Sequence, residues 1–213
     1  MPQGSFGEIR AFQDFSGTHE DVTWAASSVD LGGGWAMVSV EEGTIQDVVD
    51  EEGGVRQFLT DTGNDDNVVL YAGPFKPSNG KISLEARFKV ADDVANTAIF
   101  AGFCETLVKA TPVMPAEFAT ATMTYNGSGG MLGLQWDSDA TTNAWRACCG
   151  DGGTVSGSSN YGANGTTATD AAVADEYDIV RVELSSAGIG EVWHDDELVA
   201  SGATGLTATD IFY

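Results

Sequence analysis

Positive charge is scarce in this chain: nine lysines and arginines face 32 aspartates and glutamates, a formal net charge of −23 over 213 residues. A polyanionic nucleic acid is excluded as a partner, because binding one needs a basic stripe. An anionic membrane surface is disfavoured for the same reason. Histidine occurs only at His19 and His194, and cysteine only at Cys104, Cys148 and Cys149. An odd number of cysteines with an adjacent pair cannot build a disulfide framework, and without CxxC or a histidine cluster no zinc site is expected. The thiols read as small buried strand residues of a protein made in a reducing cytoplasm. A long apolar run is missing too. The longest uncharged stretch, Phe118 to Trp136, is interrupted by Asn126-Gly127-Ser128-Gly129-Gly130, which predicts two hairpin-paired strands and excludes a membrane helix. The opening residues MPQGSFGEIR lack the apolar core of a signal peptide, so the sequons at Asn126 and Asn164 read as turns.

What is present is glycine, 27 residues against five prolines, with apolar residues in short bursts. That composition suits many strands joined by tight turns. Residues 1–20 carry scattered Phe6, Phe12 and Phe15 without periodicity and read as an N-terminal arm. Residues 21–213 read as a single domain, since sandwiches commonly run past ~200 residues undivided. Acids gather in two windows: Glu41 to Asp66 holds nine with only Arg56, and Asp170 to Glu197 holds nine with only Arg181. Such patterning suits either a solvated surface that maintains solubility or a surface complementary to a cationic partner.

The segment YDIVRVELSSAGIGEVWHDDELVAS, Tyr177 to Ser201, carries the most information. Val180, Val182 and Leu184 alternate with Arg181 and Glu183, the period of a half-buried strand. Placing Val192 on the face of Val182 sets the two opposite each other and leaves the loop Ser186-Ala187-Gly188, with Gly188 in the left-handed position. Arg181 then faces Trp193 across the strands, a cation–π pair on the outer face with Glu183 and Glu191. A second turn at Asp195-Asp196 leads into Leu198 and Val199.

Elsewhere, strands are expected at Trp35–Val40, Gly43–Val49, Asn67–Ala72, Ala98–Cys104, Trp145–Cys149 and Asp210–Tyr213. Lys81–Val90 is the cleanest alternation and suits the centre of a sheet. Gly150 to Gly165 holds too little apolar content to anchor itself. About twelve strands without a helix imply an all-β sandwich of two antiparallel sheets.

No reaction centre is legible. His194 falls in phase with Val180 and Val192 and reads as a satisfied histidine at the hairpin's open end. The acidic pairs lack the phase and apolar setting that glycoside hydrolysis requires. Calcium is the one ligand left open, at Asp61–Asn67 or at Asp137-Ser138-Asp139, though both patterns more often make Asx-turns. Trp136, Trp145 and Trp193 are the aromatics available to a glycan, with Trp136 in phase with the core residues Leu132 and Leu134.

The Tyr177–Ser201 hairpin resembles the penultimate hairpin of concanavalin A-like (laminin-G-like) jelly rolls, with Asp196 where the family's turn usually has glycine. GPFKPSNGKISLEARFKV, AIFAGF and GLQWDSDATTNAW are similar to strands of lectin-like proteins of tailed-bacteriophage virions. The resemblance spans residues 40 to 201. It implies a jelly roll in a non-enzymatic capsid-decorating or head-fibre protein, made in the host cytoplasm and added to the outside of the head. The implied partners are the major capsid protein and further copies of itself, with trimers favoured by an icosahedral lattice. Its alternative is a glycan-binding module that aids adsorption to the host surface. It implies no catalytic, cofactor or metal residues.

Overall fold

The computed structural model describes residues 22–25, 28–40, 42–48, 55–60, 67–90, 97–107, 113–126, 129–151, 154–155, 161–162, 165–168 and 170–213. The expected arm at residues 1–20 and most of the calcium candidate Asp61–Asn67 lie outside them. The chain divides into two compact units, Met1–Gly73 with Leu107–Val113 and Pro74–Thr106 with Met114–Tyr213. The region expected as one jelly-roll domain, residues 21–213, is therefore described unit by unit.

In the first unit, β1 (Val22–Ala25), β4 (Glu42–Asp47) and β5 (Arg56–Thr60) form one antiparallel sheet, in the order β1-β4-β5. β2 (Ser28–Gly32), β3 (Trp35–Ser39) and β6 (Val68–Ala72) form another, in the order β2-β3-β6. The β2–β3 turn needs left-handed backbone at Gly33 and Gly34 (φ 63° and 87°), which glycine supplies at no steric cost. Met37 is fully buried, with Val29, Leu31, Phe58 and Val68 packed around it.

The second unit is a sandwich. One sheet has the order β13 (Thr154–Val155), β12 (Arg146–Asp151), β11 (Met131–Asp137), β8 (Ala98–Cys104), with β14 (Thr166–Thr167) also paired to β12. The other has the order β17 (Glu197–Ala203), β16 (Ile189–His194), β15 (Asp178–Leu184), β7 (Ile82–Phe88). All pairs are antiparallel. Leu132, Leu134 and Trp136 of β11 meet Val180, Val182, Leu184 and Val192 of the facing sheet in one core. Burying each such aliphatic side chain contributes roughly 1.5–3 kcal/mol.

Every residue of β11 is buried, because its second face is also covered. A hairpin of β9 (Ala116–Ala119) and β10 (Thr122–Tyr125) lays Phe118, Met123 and Tyr125 against Met131 and Cys148. Glycines make room for rings there. Gly102 and Gly133 pair directly across β8 and β11, and a Cβ on Gly133 would lie 2.5 Å from Phe100 Cζ. Tyr125 covers Gly150 so closely that a Cβ there would overlap its ring.

The predicted hairpin register holds residue by residue: Val182 stands opposite Val192 and Arg181 opposite Trp193, with the Arg181 guanidinium 4.0 Å from the indole centroid. Gly188 has φ 72°, and the tight turn at Asp195 and Asp196 is left-handed at both residues (φ 48° and 65°).

Four expectations are corrected. Phe118–Tyr125 does not pair with Met131–Trp136. The chain reverses at Thr120, which has φ 63°, so β9 and β10 pair with each other and β11 pairs with β8 and β12. The turn residues Thr120-Ala121 carry no glycine or asparagine signal, so nothing in their composition announced it. β7 alternates as expected, but among the described residues it ends its sheet rather than standing at the centre. Alternation reports one wet and one dry face, not the number of neighbours. The Gly150–Gly165 region does hold an anchor: Tyr161 is fully buried in the sandwich core. Asp210–Tyr213 forms backbone bridges, Phe212 with Phe75 and Tyr213 with Cys104, instead of a strand.

Candidate binding site

Two places gather polar side chains in the second unit. The first is the outer face of β15 and β16. Lys81 Nζ donates to Glu183 Oε2 at 2.6 Å, Arg181 lies over Trp193, and Arg181 Nε approaches Glu183 Oε1 at 4.0 Å. The alternation that sends Val180, Val182 and Val192 inward sends these outward. Partly exposed pairs of this kind contribute about 0–1 kcal/mol each, so they order a surface more than they stabilise the fold.

The second is a cavity of about 240 Å³ at the open end of the hairpin, lined by Asp170, Ala171, Val173, Glu176, Tyr177, Asp178 and Asp195. Three chain segments bring together its lining and the buried imidazole beside it. Asp178 opens β15 in phase with Val180 and so faces inward. His194 closes β16 on the same face, opposite Val180. Asp195 starts the turn, where its Oδ1 accepts from Ile179 N–H at 2.8 Å. Asp170 is held by its backbone, whose carbonyl accepts from Trp145 N–H at 3.4 Å.

His194 is 2% exposed, its Nε2 lies 2.7 Å from Asp178 Oδ1 and 3.6 Å from Asp195 Oδ2, and the Trp145 ring lies 5.6 Å away. Burial alone lowers its affinity for a proton. The hydrogen bond to Asp178 and the charges of Asp195, Asp178 and Asp170 outweigh burial and raise its pKa above the usual 6.5. One ligand atom from each of Asp170, His194 and Asp195 lies within 4.8 Å of the others, so these three could hold a metal.

The remaining expected residues do structural work. Asp137, the second calcium candidate, accepts from Phe118 N–H at 2.8 Å and from Asp139 N–H at 2.9 Å, the Asx-turn arrangement. Cys148 and Cys149 are buried on opposite faces of β12, and no disulfide joins the three cysteines. Burial pushes the Cys104 and Cys149 thiols up to about 12 and raises Cys148 well above its ordinary value, helped by its neighbouring thiols. Trp136 and Trp145 are 2% and 0% exposed, which removes both as sugar platforms. One face of Trp193 is taken by Arg181. Asn126, of the first sequon, donates to Met114 O and Glu117 Oε1.

The sequence placed His194 on the core face but did not bring Asp170, Asp178 and Asp195 to it. The available signal was Asp178, a carboxylate in the inward phase of an otherwise apolar strand. The fold places the protein in the class of all-β antiparallel sandwiches. Comparison with known protein families, curated proteins and solved structures finds no match.

Proposed function

We propose that this chain is a non-enzymatic structural protein of a tailed-bacteriophage virion, bound to the outside of the head and stabilising its capsomers. The observation that supports this best is how the reactive side chains are used. His194 bonds to Asp178, Asp137 is occupied by backbone N–H groups, and the thiols are pushed far from ionisation. The ordered outer face of β15 and β16 instead presents a cation, an indole and carboxylates, side chains suited to contact. Binding the assembled shell and not its free subunits lowers the free energy of the shell by mass action. A lattice of capsomers would favour a trimer, with the major capsid protein as partner.

The test is to add purified protein to heads that lack it. Retention at fixed stoichiometry, greater resistance of the heads to heat, and loss of retention on deleting residues 1–20 are expected. Failure to sediment with heads would refute the decoration role. A second reading, a glycan-binding module, is favoured by the cavity, where Tyr177 borders carboxylates able to accept from sugar hydroxyls. Tight binding of an isolated polysaccharide by protein that ignores heads would select it.

A further inference from the structure

We propose that Asp170, His194 and Asp195 form a binding site for one divalent transition-metal ion. The nitrogen and two carboxylate oxygens lie within 4.8 Å of one another. Zinc-type ions bind such atoms at about 2.0–2.2 Å in a tetrahedron, which places neighbouring ligands about 3.4 Å apart. Closing the difference takes a movement of up to about 1.4 Å, shared between the side chains of Asp170 and Asp195, both exposed, while the imidazole stays fixed.

The carboxylates alone would be an ordinary acidic surface; the imidazole distinguishes this group. His194 is 2% exposed and packed against the Trp145 ring 5.6 Å away; its Nε2 is bonded to Asp178 Oδ1 at 2.7 Å and lies 3.6 Å from Asp195 Oδ2. A ligand whose rotamer is locked before binding loses little conformational freedom when the ion arrives. The ion replaces the hydrogen that Nε2 shares with Asp178, and that proton leaves to solvent. The adjoining cavity of about 240 Å³ supplies an entry path and room for water ligands. An imidazole among carboxylates suits Zn²⁺, Ni²⁺ or Co²⁺ rather than Ca²⁺ or Mg²⁺, which prefer oxygen alone. The three ligands come from the segment before β15, the end of β16 and the following turn, so the ion would tie these pieces together.

The probe is Co²⁺, titrated into chelator-treated full-length protein and followed by its visible ligand-field absorption, with Zn²⁺ as competitor. Saturation at one ion per chain is expected, with displacement by Zn²⁺. Asp170→Asn and Asp195→Asn should each weaken binding about tenfold or more. Asp195→Asn keeps an oxygen for Ile179 N–H, and Asp170 is exposed, so both variants should melt near the parent temperature. His194→Gln should abolish the absorption; if it does not fold, the two asparagine variants decide. No saturable absorption with the parent, equal affinity in all variants, or saturable binding of Ca²⁺ alone would each overturn the proposal.

Discussion

Substituting alanine for Gly133 should destabilise the second unit, for reasons that can be worked out atom by atom. A Cβ at this position would stand 2.5 Å from Phe100 Cζ and 2.6 Å from Ala101 O. Carbon atoms rest about 3.5–4.0 Å apart, so both contacts are short by roughly 1 Å. The Phe100 ring is the far end of a side chain and can swing. Ala101 O belongs to the neighbouring strand β8, paired to β11 through Gly102 and Gly133, and can yield only by opening that ladder. Overpacking costs about 1–3 kcal/mol, and the immovable carbonyl puts Gly133→Ala near the upper end. At about 2–4 °C per kcal/mol for a chain of this size, the melting temperature should fall by roughly 6–12 °C. Urea midpoints should shift without a change in slope. Adding Phe100→Leu should recover only part of the loss, because it frees one contact of two. A Gly133→Ala protein melting within ~2 °C of the parent would refute the close approach of β8 and β11, and full recovery with Phe100→Leu would show that the carbonyl is not an obstacle.

Turn chemistry gives an opposed pair. Gly188→Ala places a Cβ at φ 72° and should cost about 1–2 kcal/mol, whereas Asp196→Gly relieves φ 65° and should add about 1 kcal/mol, both read from urea midpoints. Asp178→Asn removes the charged partner of a buried imidazole and should lower stability by about 1.5–3 kcal/mol in the same assay. Thiols held up to about 12 should label roughly 10³-fold more slowly at pH 8 in native protein than in denaturant, since the thiolate fraction falls by that factor. A cysteine that reacts at once with Ellman's reagent in native protein would contradict this.

Legibility followed the range of the physics. The β15–β16 hairpin could be read because its register is dictated by a buried face and a three-residue loop, both local. β8, β11 and β12 were each visible as strands, but the place of β11 between the other two was not, because the sequence does not say which strands share a ladder. The β9–β10 hairpin escaped because Thr120 takes a left-handed backbone without the residue types that favour one. The carboxylate–histidine group was half visible. Phase put His194 inside, but Asp170 reaches it through a backbone contact with Trp145, 25 residues away along the chain. Tertiary proximity of that kind leaves no periodic trace.

Tyr161 has a consequence for engineering the chain. Among the described residues between Val155, which ends β13, and Thr166, which begins β14, it is the one fixed in the core. A connection of ten residues is thereby divided into one of five and one of four. Loop closure grows only slowly more costly with length. Peptide tags or reporter epitopes could therefore be inserted before the tyrosine, with little effect on the strand pairs beyond it, whereas Gly165 on its far side packs closely against Ala147 and Arg146. Replacing the tyrosine itself would merge the two pieces, and an insertion on one side would then be felt on the other.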